Sequence, residues 1–246
     1  CACLVGSEMC IRDRVTMGRI YDYKVNYSQY LILRQERRIQ QQKAYDEQQK
    51  MIAEDSVHHN CLFFGRDENG VIRSCALRGS TDVKFRGEAP GGDKSCTFAM
   101  VGHNDVLRLF ESPIDAMSHA TFTKLLGKDW TADHRLSVNG SGNYESIKRY
   151  LANHTEIRSV WFCYDSDQAG HDGAEASSSR IFEDFPDREL SVMFCSPVKN
   201  KDWNEALQLF RVLESHGVTV REFLAPTEFR SIPPPDCEQD EFECEL

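Results

Sequence analysis

Two aspartates separated by one residue, together with a distant glutamate, are the residues whose types and spacing best suit chemistry. Asp165 and Asp167 directly follow the strand-like run 159–164, and Glu111 directly follows the strand-like run 106–110. Because side chains alternate faces along a strand, carboxylates at positions i and i+2 can point the same way and share one ion. A hard cation such as Mg²⁺ prefers carboxylate oxygens as ligands. The three carboxylates therefore predict a site for Mg²⁺ or Mn²⁺.

The elements that must position these carboxylates alternate between strand and helix. Such alternation implies right-handed crossovers and a parallel sheet, in which functional residues lie at the carboxyl ends of the strands. We therefore predict an α/β fold over residues 105–225, with a Rossmann-like, four-stranded parallel sheet and flanking helices. The predicted strands are 106–110, 135–138, 159–164 and 190–195, and the predicted helices are 114–126, 144–151, 174–182 and 203–214.

A small antiparallel, β-rich subdomain is predicted before this sheet, over residues 56–104. Two apolar runs, 61–65 and 71–77, flank an Asn-Gly pair at 69–70. An Asn-Gly pair between such runs is a strong hairpin signal. Two shorter strands are expected near 83–86 and 97–100. The connections contain basic residues that could contact phosphate, although scattered charges more often form a solvated surface; these residues are Arg73, Arg78, Lys84, Arg86 and Lys94.

The first 55 residues resemble sequences unrelated to the strand-helix pattern of the rest of the chain. Residues 1–14 resemble translated sequencing-adaptor sequence, so we expect an artefact there and exclude them from the fold prediction. Residues 15–55 are predicted to form a charged, Gln-rich helical segment. Within it, residues 16–54 resemble the linker of an ABC-F ATPase, through the strings at 26–31 and 44–50. We interpret the segment as joined from an unrelated gene, and a genuine helical extension of this protein is the alternative.

A Gly-rich string at residues 87–95 does not have the spacing of a phosphate-binding P-loop. In a P-loop a lysine directly follows the last glycine, whereas Asp93 separates Gly92 from Lys94 here. The residues after it, 96–100, are typical of a strand and not of the helix that a P-loop opens. The sequence therefore argues against nucleotide binding of this kind.

The ten cysteines contain no Cys-x-x-Cys pair, which disfavours a zinc ribbon. Cys163 and Cys195 lie in apolar runs, and we expect the reduced thiols of a cytoplasmic protein. Residues 58–61, His-His-Asn-Cys, could form half of a metal site but are more typical of a polar turn before a strand. No apolar run approaches the roughly 18 residues that span a bilayer, so no membrane segment is predicted.

The net charge of −10, from 29 Lys and Arg against 39 Asp and Glu, argues against a protein that binds nucleic acid through bulk positive charge. The charge is unevenly distributed. Residues 226–246 contain seven acidic residues and one basic residue around a Pro-Pro-Pro run at 233–235. We predict an acidic, disordered tail there, which leaves the rest of the chain free to carry a local basic face.

Three motifs in order along one predicted sheet edge resemble the Toprim domain, which is shared by bacterial-type primases, topoisomerases and some small nucleases. They lie at residues 110–113 (Phe-Glu-Ser-Pro), 139–140 (Asn-Gly) and 165–170 (Asp-Ser-Asp-Gln-Ala-Gly). Residues 201–205, Lys-Asp-Trp-Asn-Glu, resemble a lysine-aspartate element of primase-like members. Ser112 departs from the glycine that usually precedes the proline.

A closer resemblance, over about residues 56–215, is to Toprim-like proteins of bacterial mobile elements, in which a domain of unknown function precedes the Toprim part. It implies Mg²⁺-dependent, primase-like nucleotidyl transfer or phosphodiester cleavage during mobile-element DNA replication or processing. It also implies DNA or RNA as partner, with replication or mobilisation proteins. The implied catalytic and metal-binding residues are Glu111, Asp165 and Asp167; nucleic-acid contacts are Lys94, Lys199 and Lys201; and supporting residues are Asp115, Asn139, Gly140 and Asp202.

Three alternatives stay open at this stage. A Toprim nuclease would use the same carboxylates, and a noncatalytic accessory protein would keep the fold and bind DNA without Mg²⁺. A phosphatase of the haloacid-dehalogenase type is disfavoured, because its nucleophile follows the first strand of the domain, whereas Asp165 follows the third predicted strand.

Overall fold

The computed structural model describes residues 12–16, 19–23, 27–81, 85–197, 200–224 and 229–231. The chain divides into two compact units, Cys1–Ile52 and Ala53–Leu246. In the first unit, β1 (Arg12–Thr16) pairs antiparallel with β2 (Arg19–Tyr23), and α1 spans Tyr27–Met51. The predicted N-terminal helix is confirmed. The strand pair differs from the prediction, in which residues 1–14 are excluded and residues 15–55 are helical.

A four-stranded sheet begins the second part of the chain, in the order β3-β4-β5-β6. The Asn-Gly pair turns between β4 and β5 with Gly70 at a φ of 77°, so the predicted hairpin is confirmed. Before β4, the side chain of Asp55 accepts hydrogen bonds from the backbone N–H groups of Val57 and His58, which makes the predicted polar turn. The strands are β3 (Ile52–Glu54), β4 (Cys61–Arg66), β5 (Ile72–Arg78) and β6 (Arg86–Glu88).

Residues 99–231 contribute a second, larger sheet with helices between its strands. The elements in chain order are β7 (Ala99–Met100), β8 (Val106–Phe110), α2 (Pro113–Leu125), β9 (His134–Ser137), α3 (Tyr144–Asn153), β10 (Ser159–Phe162), α4 (Gln168–Asp184), β11 (Ser191–Cys195), α5 (Trp203–Glu214), α6 (Val220–Leu224) and β12 (Phe229–Ser231).

The larger sheet has the strand order β12-β11-β10-β8-β9-β7. Its four central strands, β11, β10, β8 and β9, are parallel, which confirms the predicted four-stranded parallel sheet. The two outer strands run antiparallel to their neighbours. Parallel strands bring their carboxyl ends to one edge of the sheet, and the turns after β8, β9 and β10 therefore lie together at that edge.

Two short edge strands differ from the prediction. β7, expected in the small sheet, pairs with β9 of the larger sheet, while the preceding Phe98 bridges to Gly65 of the small sheet. Phe98 and Phe63 also pack edge to face with ring centroids 5.6 Å apart. β12 lies within the segment predicted as a disordered tail and pairs with β11; the other residues of that segment, 226–228 and 232–246, lie outside the described residues.

Apolar side chains of the parallel strands and two helices form the core beneath the carboxyl edge. Leu107, Leu109, Val160 and Phe162 are each fully buried, as expected for alternate strand residues that face the core. α4 starts at Gln168, six residues before the predicted 174, because the side chain of Asp167 caps it through the N–H of Gly170 at 3.0 Å. None of the helices in the described residues combines the length and apolar character needed to cross a bilayer.

Candidate functional site

Glu111 and Asp165 meet at the carboxyl edge of the parallel sheet. Glu111 follows β8 and Asp165 follows the neighbouring β10, whose Phe162 is in register with Leu109. The backbone N–H of Asp165 donates a hydrogen bond to Oε1 of Glu111 at 3.2 Å. The structure therefore brings these two predicted site residues together, although 54 positions separate them in the sequence.

Gly170 allows this close approach. A Cβ atom at residue 170 would lie 2.2 Å from the carbonyl oxygen of Asp165 and 3.1 Å from Oε1 of Glu111. Both contacts are shorter than ordinary van der Waals separations, so a side chain here would push the Asp165 backbone and the Glu111 carboxylate apart. The glycine that ends the Asp-x-Asp-x-Ala-Gly string is thus required by packing.

Asp167 and Lys201 form an ion pair beside Asp165. Nζ of Lys201 lies 3.0 Å from Oδ2 of Asp167 and 3.7 Å from Oδ2 of Asp165. The backbone of Lys201 is held in turn by Ser166, whose N–H donates to the Lys201 carbonyl oxygen at 2.8 Å. Asp165 is 18% exposed, whereas Asp167 is 42% exposed. The ammonium therefore contacts one half-buried and one open carboxylate.

The carboxylates of the site have opposite pKa shifts. Burial, and then the charge of Glu111, raise the pKa of Asp165 to about 7. Burial also raises the pKa of Glu111, with smaller contributions from the charges of Asp167 and Asp115. The pKa of Asp167 is lowered, first by the N–H of Gly170 and then by Lys201. Carboxylates that disfavour each other's ionisation mark a place where added positive charge is stabilising.

Of the two predicted supporting aspartates, Asp115 links two helices through hydrogen bonds and Asp202 caps a helix. Asp115 is buried; it accepts a hydrogen bond from the hydroxyl of Ser112 and another, at 3.1 Å, from the backbone N–H of Asn204. It thereby joins the start of α2 to the start of α5. Asp202 caps α5 through the N–H of Glu205 at 2.7 Å. Ser112, which departs from the family pattern, caps α2 through the N–H of Asp115.

Asn139 and Gly140 form the turn after β9 at the same edge. Their φ angles are 54° and 114°, a left-handed backbone that asparagine and glycine adopt most readily. The N–H of Gly140 donates to the carbonyl oxygen of Glu111 at 3.0 Å, so the turn supports the backbone of that residue. Lys94 meets this turn through its backbone carbonyl, which accepts from the Asn143 side chain at 2.9 Å. Lys199 lies outside the described residues.

Two arginines of the small sheet interact electrostatically with Asp115, near the acidic edge. Arg78, at the end of β5, is paired in register with Arg86, at the start of β6. Burial raises the pKa of Asp115, and the charge of Arg86 partly opposes that rise. Arg78 interacts electrostatically with the same carboxylate, so both arginines are within electrostatic range of Asp115. Both are among the five basic residues of the predicted connections in this subdomain. Their positions at paired strand ends are the signal that distinguishes them.

Glu111, Asp165 and Asp167 do not have the tight spacing of bound metal ligands. In the part of the chain that the structure describes, one trio brings its ligand atoms within 4.8 Å of one another, and it consists of His134, His154 and Glu156. That trio lies at the amino ends of the parallel strands, at the opposite edge of the sheet. At the carboxyl edge, the ammonium of Lys201 contacts two of the three predicted ligands.

Comparison with known proteins finds two family matches. Residues 108–207 match a family described as Toprim-like, and residues 14–56 match one described as ABC transporter. The first covers the predicted Toprim motifs, and the second agrees with the resemblance noted for residues 16–54. No curated protein matches the chain significantly.

Solved primase structures resemble the chain at low identity. The primase fragment of the bacteriophage T7 primase-helicase protein has a TM-score of 0.49 and 17% identity, over 69% of this chain and 67% of that one. A DNA primase domain from Pseudomonas aeruginosa has a TM-score of 0.44 and 18% identity, over 68% and 56%. The E. coli primase catalytic core has a TM-score of 0.47 and 15% identity, over 71% and 59%. The chain thus spans less than two thirds of each of these two bacterial chains.

Proposed function

Residues 108–207 form a Toprim-like domain, and we propose that this domain carries out metal-dependent phosphoryl chemistry on nucleic acid. The observation that carries the proposal is the contact between Glu111 and Asp165 at the carboxyl edge, where both carboxyl groups have raised pKa values. Perturbed titratable groups at such an edge are typical of functional sites.

The residues at this edge fit a hard divalent cation. Glu111, Asp165 and Asp167 offer carboxylate oxygens, which Mg²⁺ and Mn²⁺ prefer. Lys201 already places one positive charge against Asp165 and Asp167, as a stand-in for the cation. When bound, Mg²⁺ or Mn²⁺ would supply the charge that stabilises developing negative charge on phosphate oxygens. Asp165 and Asp167 would hold it, and Glu111 would be the third ligand or the proton carrier.

The raised pKa suits Glu111 to proton transfer. A carboxyl group whose pKa lies closer to neutrality exchanges a proton more readily at physiological pH. In nucleotidyl transfer Glu111 would accept the proton of the attacking hydroxyl group. In phosphodiester cleavage it would accept the proton of the attacking water or protonate the leaving oxygen.

Three cationic side chains would bind the nucleic-acid backbone on either side of the carboxylates. Lys201 is the first, since its ammonium is more than half exposed and would face a phosphate once released from Asp167. Arg78 and Arg86 are the others, because two guanidinium groups in register on neighbouring strands are stabilised by an anion between them. The substrate would then lie between the small sheet and the acidic edge.

Primase-like nucleotidyl transfer on DNA is the leading form of this proposal, with RNA as an alternative substrate. Replication or mobilisation proteins of a mobile element would be its partners, and the cytoplasm its location. Phosphodiester cleavage by the same carboxylates is the second candidate, and noncatalytic DNA binding the third.

Incubation of the full chain with end-labelled single-stranded DNA, Mg²⁺ and nucleoside triphosphates distinguishes these three candidate functions. Incorporation of labelled nucleotide into a growing strand supports nucleotidyl transfer, and shortening of the labelled DNA supports cleavage. If neither occurs, and DNA binding is the same with and without Mg²⁺, the protein is a noncatalytic accessory and the enzymatic proposal is wrong.

A further inference from the structure

A second cluster of ligand atoms lies at the edge of the sheet opposite the carboxylates. Nε2 of the buried His134 is 3.9 Å from Oε1 of Glu156, and Nδ1 of His154 is 2.8 Å from the same oxygen. The backbone carbonyl oxygen of Asn104 lies 3.1 Å from Nε2 of His134. Two imidazoles and a carboxylate therefore have ligand atoms within 4.8 Å of one another, and the Asn104 carbonyl borders the buried imidazole.

We propose that His134, His154, Glu156 and the Asn104 carbonyl form a metal site for a borderline divalent cation such as Zn²⁺. Zinc takes histidine nitrogen and carboxylate oxygen at about 2.0–2.2 Å in tetrahedral geometry, which puts neighbouring ligand atoms about 3.3 Å apart. The three separations observed here, 2.8, 3.1 and 3.9 Å, lie around that value.

The backbone that carries these ligands is fixed before any cation binds. Arg188 donates to the carbonyl oxygens of Leu151, His154 and Ile157 at 2.7, 3.2 and 2.7 Å, which holds the loop between α3 and β10. Asn104 is held by its N–H to Ala132 at 3.1 Å and by its side chain to Asp133 at 2.7 Å. A preorganised set of donors loses less entropy on metal binding.

Proton placement at His134 is compatible with metal binding. In the absence of metal, Nε2 of His134 carries the proton and donates it to the Asn104 carbonyl, while Nδ1 accepts from the hydroxyl of Tyr150 at 2.9 Å. On binding, that proton moves to Nδ1, and Nε2 presents its lone pair to the cation. Nδ1–H then donates to the oxygen of Tyr150, the second interaction that metal-binding histidines usually make. The neutral ring keeps one proton throughout.

A cation at this position would join three separate segments that lie next to strands of the larger sheet. Asn104 precedes β8, His134 opens β9, and His154 and Glu156 lie between α3 and β10. All three segments are at the amino ends of the strands, remote from Glu111 and Asp165. The site would stabilise the sheet, because a ligand that binds only the folded state raises its stability.

Zinc titration of the full chain tests this proposal. After treatment with EDTA and dialysis, calorimetric titration should show that the unmodified protein binds Zn²⁺. The affinity for Zn²⁺ should be at least about ten-fold lower in His154→Ala and in Glu156→Gln. Zn²⁺ should raise the melting temperature of the unmodified protein and leave that of His154→Ala unchanged. His154 and Glu156 are at the surface end of the cluster, so both variants keep the buried His134.

Two controls identify the ligands. His59→Ala removes another exposed histidine that pairs with a glutamate, Glu54 at 2.6 Å, and should bind Zn²⁺ like the unmodified protein. Co²⁺ in place of Zn²⁺ should give the visible absorption of a four-coordinate ion without intense thiolate charge-transfer bands. Unchanged affinity in both ligand variants, or no Zn²⁺ binding by the unmodified protein, would overturn the proposal.

Discussion

The ammonium of Lys201 lies 3.0 Å from the Oδ2 atom of Asp167. The same nitrogen is 3.7 Å from Oδ2 of Asp165, so one lysine lies within ion-pair distance of both carboxylates that follow β10. Lys201 is 36 residues away from Asp165 in the sequence and reaches it because Ser166 holds its carbonyl oxygen. In our account this ammonium competes with the divalent cation for the two aspartates.

Lys201→Gln should bind Mn²⁺ more tightly than the unmodified protein. Removing the competing charge should raise the affinity about two- to five-fold, the range expected for an exposed ion pair. Electron paramagnetic resonance of free Mn²⁺ measures the dissociation constant directly. Lys148→Gln is the matched control, since Lys148 of α3 forms a surface ion pair with Asp184 of α4 at 3.0 Å. An unchanged or weaker Mn²⁺ affinity in Lys201→Gln would contradict the competition.

Asp165→Asn should stabilise the metal-free protein at neutral pH. The pKa of Asp165 is raised from 3.8 to about 7, so between these values the unfolded chain is ionised while the folded chain keeps its proton. Stability contributed by the protonated carboxyl is complete below about pH 4 and is lost as the pH rises through about 7. The gain in unfolding free energy for Asp165→Asn should therefore grow across this window, to about 1–3 kcal/mol.

Urea unfolding in EDTA at pH values from 4 to 8 measures this gain. Asp187→Asn, at an exposed position in the turn before β11, serves as control and should give a curve parallel to that of the unmodified protein. A gain for Asp165→Asn that does not vary with pH would show that Asp165 has an ordinary pKa.

Gly170→Ala should disrupt the contact between Glu111 and Asp165. The added Cβ would lie 2.2 Å from the Asp165 carbonyl oxygen, so the start of α4 must shift, at a cost of about 1–3 kcal/mol in unfolding free energy. Thermal or urea unfolding measures the cost, and Mn²⁺ binding should weaken with it. Gly142→Ala is the control, because a Cβ at residue 142 meets no atom within 4 Å. Equal stability of the two variants would refute the packing argument.

The double variant Arg78→Gln/Arg86→Gln should bind single-stranded DNA more weakly and with less dependence on salt. Each phosphate contact to a single strand contributes about 0.7 to the slope of log affinity against log salt concentration. Fluorescence anisotropy of a labelled oligonucleotide across a series of NaCl concentrations measures both effects. The control, Arg158→Gln, removes an exposed arginine at the opposite edge of the sheet. An unchanged slope in the double variant would show that these arginines do not contact the DNA phosphates.

Long periodic elements of this fold were predictable from the sequence, and short ones were not. The four parallel strands follow from apolar runs that alternate with helical segments, and α5 matches its predicted bounds, 203–214. By contrast, β7 and β12 contain two and three residues, too few to show a period. Their pairing depends on neighbouring strands that the local sequence does not specify.

The sequence predicts the position of a site residue only where that residue directly follows a predicted strand. Glu111 and Asp165 lie together because β8 and β10 are parallel neighbours. The pairing of Arg78 with Arg86 depends on the register between β5 and β6, and the convergence of His134 with Glu156 depends on loops that are distant in sequence. Neither arrangement has a spacing that the sequence alone could reveal.

The rate of turnover by carboxylate variants shows whether Glu111 and Asp165 carry out the chemistry. The full chain should be assayed with single-stranded DNA, nucleoside triphosphates and Mg²⁺ or Mn²⁺, beside Glu111→Gln, Asp165→Asn, Asp167→Asn and the control Asp187→Asn. We expect metal-dependent synthesis or cleavage by the unmodified protein and by the control. The Glu111 and Asp165 variants should lose at least about 100-fold in rate, as expected for loss of a general acid-base or metal-binding group, while still binding DNA. Activity that survives in Asp165→Asn, or that does not require a divalent cation, would contradict the account.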